Sequence, residues 1–427
     1  MSSGLSSKRC QFQTVVAMLL VNFATLVVLP SEPGRTGQLK DSPKVLVDEV
    51  WQFVNQYYVD PKFNRLDWQT LRTSLLSRTY TSPAAAYEVI RSTLAQLNDP
   101  YTRFLDPQEF GQLLRQTTGE PQDLGLELNL VGKNLQISRI TINSPAAKAG
   151  VQVGDRLLSI NGRSTDQMSL ERAERLLKSG GGGLLVLTLS RPGKNPFSVE
   201  IGLEAPVDNT VVYQVKSVVG ASIGYIRLTG FNAKSAEHMA SAIAALKNQR
   251  VQGFVLDLRN NPGGLLEPGL KIARMWLSRG VIVQILEREG KTKPILADNS
   301  ALTDLPLVVL VNQESASASE ILAGALQDNQ RATVIGTRTF GKALVQAVHE
   351  LTDGSAIVVT VAHYYTPRGT DISQKGITPD LLLPEDTVQE LELRVNPQLL
   401  ATPRDNRFTR ALEVLAGKIR TPLTSSP

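Results

Sequence analysis

Three serines in one short loop are the first candidates for chemistry. Ser315, Ser317 and Ser319 alternate with alanine and open a predicted helix directly after a predicted strand at 306–311. Serines at a helix N-terminus lie where the helix dipole and free N–H groups favour developing negative charge. One of them could be an N-cap, but three exceed what a cap requires. The pattern favours a serine nucleophile.

A second loop follows the predicted strand 254–258 and reads Arg-Asn-Asn-Pro-Gly-Gly from Arg259 to Gly264. In open α/β sheets, ligands bind in the crevice outside the carboxyl ends of the strands. Because both loops follow predicted strands of one sheet, we expect them to meet at the same edge. The sequence therefore predicts a site built from a serine loop and a glycine loop.

A serine nucleophile needs a base, and no histidine is close to the serine loop in sequence. Ser/Lys pairs are a known variant of the same chemistry, and Lys342 lies just before the predicted strand 344–351. It could act only as a neutral amine, so burial must lower its pKa from ~10.4 toward ~7–8. Lys342, Leu344 and Gln346 share one strand face, so Gln346 could orient the amine. A solvated surface lysine is the alternative.

Two motifs imitate other sites. The run Gly336–Lys342 matches a phosphate-binding loop until Ala343, where a hydroxyl side chain should ligate magnesium, and a strand pattern follows instead of a helix. The run Gly220–Gly224 has the spelling of a nucleophile elbow, but strand patterns flank it on both sides. An elbow requires a helix next, so this segment is predicted to be a hairpin turn.

Asp257 and Glu320 could form a pair of catalytic carboxylates. Asp257, however, lies in a predicted buried strand and is followed by Arg259. A structural ion pair or turn anchor explains it equally well.

The elements that position these residues change character along the chain. Short helices are predicted between 45 and 115, alternating strands with one helix between 123 and 204, and alternating strands and helices between 211 and 383. Near-continuous apolar strands separated by helices indicate a sheet covered on both faces. The expected boundaries are 1–38 for a signal segment, 39–120 for the helical region, 121–205 for the β-rich module, 206–385 for the α/β core and 386–427 for a polar tail.

Composition excludes several classes of protein. The chain has 427 residues, 42% of them hydrophobic and 20% charged, which is typical of a folded soluble protein. The net charge of +5 is spread without a basic cluster, which argues against a nucleic-acid binder. Cys10 is the single cysteine and the three histidines lack metal-ligand spacing, so we expect no internal disulfide, metal site or cofactor.

The N-terminus reads as an export signal. Lys8 and Arg9 precede a mostly apolar run at 14–29, and Pro30 and a polar stretch follow. The run is short of the ~20 apolar residues that span a bilayer comfortably. Cleavage and retention as a membrane anchor both stay open, and a buried helix is the alternative.

The chain resembles the carboxyl-terminal processing peptidases, also called tail-specific proteases, over about residues 45–383. The motifs that carry the resemblance are Asp99–Leu105, Gly154–Gly162, Leu256–Gly264, Ser315–Ile321, Phe340–Lys342 with Val345–Gln346, and Lys375–Asp380. The resemblance implies an α/β fold with a crotonase/ClpP-like sheet core, an N-terminal helical region and an inserted PDZ-like β-rich domain.

The resemblance also implies roles for single residues. Ser317 would be the nucleophile, Lys342 the general base and Gln346 its orienting partner. The oxyanion hole would come from the backbone N–H groups of Gly263 and Ala318. One departure is visible, because the family usually has glycine where this chain has Ala343. Alanine would be strained there if the backbone needs a positive φ.

The PDZ-like module suits a protease that recognises chain ends. Such modules bind an extended C-terminus by strand addition and hold its carboxylate with backbone N–H groups. Here the binding loop would be Leu124, Gly125 and Leu126, with a groove between strand 126–130 and helix 169–178. Relatives act on proteins with apolar free C-termini, and those of photosynthetic organisms mature a photosystem II reaction-centre precursor. The expected location is the periplasm or the thylakoid lumen, with membrane anchoring as an alternative to cleavage.

The leading prediction is therefore an exported serine endopeptidase that cleaves near substrate C-termini. The alternative is a non-catalytic PDZ-type peptide-binding adaptor with a vestigial protease core. A hydratase-like enzyme on a similar core is a third hypothesis, based on fold analogy alone. Oligomeric state and the resting position of the PDZ-like module are not predictable from the sequence.

Overall fold

The computed structural model describes residues 25–28, 43–118, 124–140, 144–178, 184–202, 210–218, 221–384 and 386–420. Most of the predicted signal segment therefore lies outside the described residues. Its one described piece is strand β1 (Thr25–Val28), which runs parallel to a core strand described below. Within the described ranges, no helix has both the length and the apolar character needed to cross a bilayer.

The helical region is confirmed as several short helices. It contains α1 (Pro43–Tyr57), α2 (Trp68–Ser77), α3 (Pro83–Ala95), strand β2 (Arg103–Leu105) and α4 (Pro107–Thr118). Local sequence sets two of the helix starts: Asp67 accepts a hydrogen bond from the Thr70 N–H, and Ser82 accepts one from the Ala85 N–H. Trp51, Val54 and Leu75 of these helices are buried, with Trp51 stacked on Trp68.

The β-rich module has a buried apolar core of its own. Its elements are β3 (Leu126–Val131), β4 (Asn134–Ile140), α5 (Pro145–Lys148), β5 (Arg156–Ile160), β6 (Arg163–Ser164), α6 (Leu170–Lys178), β7 (Leu184–Ser190) and β8 (Phe197–Gly202). The sheet order is β3-β4-β5-β7-β8, with β6 against β5. Asn161 and Gly162 both have positive φ, at 47° and 74°, and form the hairpin turn between β5 and β6.

The α/β core contains two further sheets. In chain order its elements are β9 (Val211–Val218), β10 (Ala221–Leu228), α7 (Ser235–Asn248), β11 (Gly253–Asp257), α8 (Leu266–Trp276), β12 (Val281–Glu287), β13 (Thr292–Leu296), β14 (Leu307–Val311), α9 (Ala318–Asp328), β15 (Thr333–Gly336), β16 (Leu344–Glu350), β17 (Ala356–Tyr365) and β18 (Leu381–Leu382).

The first core sheet has the order β18-β15-β14-β11-β10-β9, and only β9 is antiparallel to its neighbour. Strands β11 and β14 are buried along their whole length, as their apolar runs predict. In the elbow-like spelling at Gly220–Gly224, residues 221–224 already belong to β10, which pairs antiparallel with β9. The segment is therefore part of a β-hairpin, as predicted, although most of it is strand and not turn. Because β11 and β14 are parallel neighbours, the glycine loop and the serine loop leave the sheet at the same edge.

The second core sheet connects the core to the helical region. Its order is β1-β16-β17-β12-β13, and β2 pairs with β17 through Ala356, Ile357 and Val358. The strand after the phosphate-loop spelling is β16, so the helix that a phosphate-binding loop requires is absent there. The hairpin of β12 and β13 was not predicted from the sequence.

The segment after 385 packs on the core, which the sequence analysis did not reveal. It contains α10 (Thr387–Val395) and α11 (Asn406–Arg420). Phe408, Ala411 and Leu415 of α11 are buried against the first core sheet, on the face opposite the larger core cluster. The predicted burial of this sheet on both faces is thus completed by a helix from the expected polar tail.

Candidate active site

Ser317 lies on a sharp turn between β14 and α9. Its backbone has φ 56° and ψ −116°, a region that non-glycine residues rarely adopt, and the residue is wholly buried. Strain of this kind persists only where the surrounding structure enforces it, and it is frequent at catalytic positions. The strand, strained serine and helix together have the arrangement of a nucleophile elbow, which the sequence spelling had suggested at another place.

The two flanking serines have structural roles. The Ser315 hydroxyl donates to the Leu258 carbonyl at 2.8 Å and accepts from the Asn312 N–H at 3.0 Å. The Ser319 hydroxyl donates to the Asn261 carbonyl at 2.9 Å. The bond to Asn261 joins the serine loop to the glycine loop, and the bond to Leu258 joins it to the residue just before that loop. Ser317 is thereby distinguished from its neighbours, a distinction that spacing alone could not make.

Lys342 is buried, not solvated, with only 1% of its surface exposed. Its Nζ donates to Gln346 Oε1 at 3.0 Å and lies 4.0 Å from the centroid of the Tyr101 ring. Burial, with a smaller contribution from the nearby charge of Arg103, lowers the pKa of Lys342 to about 6, and Asp99 and Glu320 oppose part of this shift. The amine is therefore neutral at pH 7, which a general base requires.

Gln346 accepts a hydrogen bond from the Lys342 amine, as the two-residue period of the strand predicted. Its other side-chain atom, Nε2, donates to the Thr360 hydroxyl on β17 at 3.4 Å. The bond to Thr360 fixes which end of the amide faces the lysine. Gln346 therefore presents an acceptor to the amine.

Glu320 joins the serine loop to the segment 339–342, a role that the sequence analysis missed. Its Oε2 accepts from the backbone N–H of Ser317 and of Lys342, both at 2.9 Å. Its Oε1 accepts from the Gly341 N–H and the Thr339 hydroxyl, both at 2.6 Å. Burial raises the pKa of Glu320 although these donors oppose the rise.

A sequence signal for part of this role existed. Ser317 and Glu320 have the S-x-x-E spacing of a capping box, in which the glutamate reaches back to the N-cap backbone. The contacts with the segment 339–342 had no such signal, because they join positions about twenty residues apart. Tyr364 adds a further link, since its hydroxyl bonds the carbonyl oxygens of both Ser317 and Lys342.

The two predicted oxyanion donors lie side by side. A Cβ on Gly263 would be 2.7 Å from the Ala316 oxygen, 2.9 Å from the Ser317 Cβ and 3.1 Å from the Ala318 nitrogen. Ala318 is the first residue of α9, so its N–H has no acceptor within the helix. The Gly263 N–H instead donates to Asn261 Oδ1 at 2.9 Å. Use of this donor in catalysis requires that the bond to Asn261 be shared or released.

Asp257 does not form a carboxylate pair with Glu320. Its oxygens bond the Arg259 guanidinium at 2.6–3.1 Å and the Tyr225 hydroxyl at 2.6 Å. Burial by itself would raise the pKa of Asp257, but the Arg259 charge holds it below the usual value. Arg259 also bonds Asp405 through two nitrogens, at 2.7 and 2.9 Å. This buried group is the structural ion pair that the sequence allowed, extended by a residue from the C-terminal segment.

Ala343 fits its position. It is buried and does not have positive φ, whereas Gly341, two positions earlier, has φ 92°. Alanine in place of the family's usual glycine therefore introduces no backbone strain.

The predicted peptide-binding loop begins the PDZ-like sheet. Leu124 is buried and its carbonyl accepts from the Ala146 N–H at 3.0 Å, and Gly125 has φ 65°. Leu126 is the first residue of β3, which lies beside α6. The three residues thus lie at the predicted end of a strand-helix groove.

Comparison with known proteins agrees with this architecture. The model of peptidase family S41 matches residues 222–383, and a PDZ domain model matches residues 136–191. A carboxyl-terminal-processing protease of Synechocystis sp. is 38% identical over 410 residues, covering 92% of this chain and 91% of that protein. The chloroplastic C-terminal processing peptidase of Tetradesmus obliquus is 38% identical over 373 residues, covering 83% of this chain and 80% of that protein.

A solved structure has the same fold. The photosystem II D1 C-terminal processing protease superposes with a TM-score of 0.56 at 36% identity, covering 87% of this chain and 97% of that one. Family models, relatives and structure agree on one assignment. The chain is a serine peptidase that belongs to the carboxyl-terminal-processing proteases of peptidase family S41.

Proposed function

We propose that the chain cleaves proteins near their C-termini with a Ser317/Lys342 dyad. The observation that carries the proposal is the convergence of the Ser317 and Lys342 backbone amides on one oxygen of Glu320. These two hydrogen bonds to Glu320 hold a strained serine near a lysine whose amine is buried and neutral at pH 7. No histidine takes part in these contacts.

The chemistry follows from these positions. The Lys342 amine takes the proton of the Ser317 hydroxyl while Oγ bonds to the scissile carbonyl carbon and the carbonyl oxygen becomes an anion. The N–H groups of Ala318 and Gly263 stabilise that anion, and each such donor contributes about 10²–10³ in rate. When the C–N bond breaks, the Lys342 ammonium gives its proton to the leaving amine. Water then hydrolyses the acyl-enzyme with Lys342 again as base.

Substrate entry requires a change in this structure. Both Ser317 and Lys342 are buried, at 0% and 1% exposure. A peptide can reach Oγ only if the surrounding segments move or its own residues displace them. Displacement of the Asn261 bond from the Gly263 N–H would be part of the same event.

The PDZ domain is proposed to bind the substrate C-terminus. An extended peptide would add to β3, and backbone N–H groups at Leu124, Gly125 and Leu126 would receive its carboxylate. Leu126 of β3 and Leu170 and Leu176 of α6 are apolar and only partly buried, which favours apolar C-terminal residues. The physiological substrates would be proteins with free apolar C-termini, and the precursor of a photosystem II reaction-centre protein is the first to test.

The chain is proposed to be exported to the periplasm or the thylakoid lumen. The basic and apolar segment at 1–38 supports this, and two of the relatives are named as chloroplastic. Intact-mass measurement of the exported protein decides between cleavage and anchoring. A mass that retains residues 1–38 with membrane association indicates anchoring, and a shorter soluble form indicates cleavage.

The test of the proposed function compares a peptide that has a free apolar C-terminus with its amidated twin. We expect cleavage of the first, slower cleavage of the second, and none of either by Ser317→Ala or Lys342→Ala. Glu314→Gln, on the exposed side of the serine loop, serves as the control variant. Tight binding without turnover would favour the peptide-binding adaptor instead.

A further inference from the structure

The segment from Asp99 to Leu105 has no role in the chemistry so far, although it comes from a different region of the chain. Its conformation is fixed locally: Asp99 accepts from the Tyr101 N–H at 3.0 Å and from the Thr102 hydroxyl at 2.7 Å. The Thr360 N–H donates to the Thr102 hydroxyl at 3.1 Å, and β2 pairs with β17. Thr360 is also the residue that orients Gln346. The segment is thus held at a defined position relative to the base.

Tyr101 is the residue of this segment whose ring contacts the Lys342 amine. The ring centroid lies 4.0 Å from Nζ, and Gln346 Oε1 lies 3.0 Å from the same atom. An aromatic ring face is apolar, so it excludes water, and it carries negative electrostatic potential, so it attracts a cation. The amine is therefore covered on one side by a ring and bonded on another by an amide oxygen.

The remaining charged groups reach this amine from several elements. Arg103, on the Tyr101 segment, disfavours the ammonium, while Asp99 of that segment and Glu320 of α9 favour it. On β17, the Tyr364 hydroxyl bonds the Lys342 carbonyl, and burial lowers the pKa of His363. With opposing charges of this kind, access of water to the amine decides how easily Lys342 gains a proton.

We propose that Tyr101 is a positioning residue for the base: its ring keeps water from the Lys342 amine between turnovers and stabilises the ammonium that forms when Ser317 is deprotonated. The inference rests on the proposed dyad. The helical region then has a function in catalysis, because its Tyr101 ring covers the Lys342 amine. The ring face contributes only after proton transfer, so it acts on kcat.

Three substitutions in the full-length chain separate the two effects. Tyr101→Phe keeps the ring and should retain the wild-type kcat and pH profile. Tyr101→Leu keeps an apolar side chain over the amine but removes the aromatic ring face, so kcat should fall roughly 3- to 30-fold. The ascending limb of the pH–rate profile should move little. Tyr101→Ala admits water to the amine, so kcat should fall and the ascending limb of the pH–rate profile should move to higher pH by about one unit or more.

The matched control is Tyr80→Leu, a half-buried tyrosine of the same region whose hydroxyl bonds the Leu75 carbonyl. Thermal unfolding of each variant establishes that the fold is kept. The inference is overturned if Tyr101→Leu lowers kcat no more than Tyr80→Leu does, or if Tyr101→Phe is as impaired as Tyr101→Ala. Lys342→Ala in the same assay separates the hypotheses: activity in that variant refutes the dyad, whereas an inactive Lys342→Ala beside unaffected Tyr101 variants refutes only the role of Tyr101.

Discussion

Ser317 and Lys342 donate their backbone N–H groups to the same atom, Oε2 of Glu320, each at 2.9 Å. The carboxylate thereby fixes the distance between the nucleophile loop and the start of β16. Because small misplacements of reacting groups lower the rate strongly, we expect this bridge to be important for catalysis by the proposed dyad.

Glu320→Ala should lower kcat at least about 100-fold. It leaves the N–H groups of Ser317, Gly341 and Lys342 without an acceptor in a buried site, and each such loss costs about 1–3 kcal/mol. Steady-state kinetics with the free-C-terminus peptide and chemical denaturation measure the two effects. Glu314→Gln is the control, and equal activity in the two variants would contradict the bridging role.

Gly263→Ala should abolish most activity. The position has φ 102°, and a Cβ would come within 2.7 Å of the Ala316 oxygen. The glycine loop and the serine loop must therefore separate. We expect a loss of about 10²–10³ in kcat and about 1–3 kcal/mol in stability. Gly290→Ala is a matched control, since that glycine has φ 73° with nothing within 4 Å of the added Cβ. Similar kcat values for both variants would be inconsistent with a catalytic role for this loop.

Asp405→Ala should destabilise the folded chain by about 3–5 kcal/mol, because it removes one of two carboxylates from the buried Arg259 guanidinium. The same bond holds the C-terminal segment to the loop that begins at Arg259. Denaturant unfolding monitors the stability, and Glu413→Gln, in an exposed pair with Arg410, is the control. A stability equal to that of the control would show that the C-terminal segment is not anchored here.

Lys342→Met should stabilise the protein at neutral pH. Burial holds the pKa of Lys342 near 6 in the folded chain, against 10.5 for the unfolded residue, so between these values the unfolded state binds the extra proton. The free energy of unfolding of the wild type therefore rises with pH across this window. Below it, the destabilisation caused by burying Lys342 is at its full value and no longer changes with pH. We expect the variant to be more stable by about 3–5 kcal/mol at pH 7, with the gap closing toward pH 10.5.

Denaturant titrations at several pH values test this, with Lys293→Met, an exposed lysine that pairs with Glu287, as the control. Parallel stability curves for wild type and Lys342→Met would mean that the amine is solvated in the folded protein.

Local patterns in the sequence were sufficient for much of the site. The period of two, continued from β16 back to Lys342 just before it, predicted the contact between Lys342 and Gln346. The parallel order of β11 and β14 brought the two loops together. These inferences succeed because they depend on neighbours along one strand or on a general rule for strand ends. The hairpin of β12 and β13 was not predicted, because its short strands are only partly buried and carry no clear alternation of apolar and polar residues.

The contacts that escaped prediction join distant parts of the chain. Arg259 and Asp405 are 146 positions apart, and Tyr101 reaches Lys342 from a helical region that has no pairing signal toward β17. The strained φ of Ser317 also leaves no trace in residue type, because serine has no preference for that conformation. Such features arise from packing between segments, which spacing in one sequence does not encode.

The pH–rate profile of peptide cleavage tests the central claim most directly. Because the proposed mechanism requires the neutral form of Lys342 and its pKa is about 6, kcat/KM should rise with pH through an ascending limb centred near pH 6. His349, whose ring stacks on Phe53 at 4.5 Å, should be dispensable: His349→Ala should keep the limb, and Lys342→Ala should have no activity at any pH. A limb that persists in Lys342→Ala, or one that His349→Ala abolishes, would contradict a lysine base.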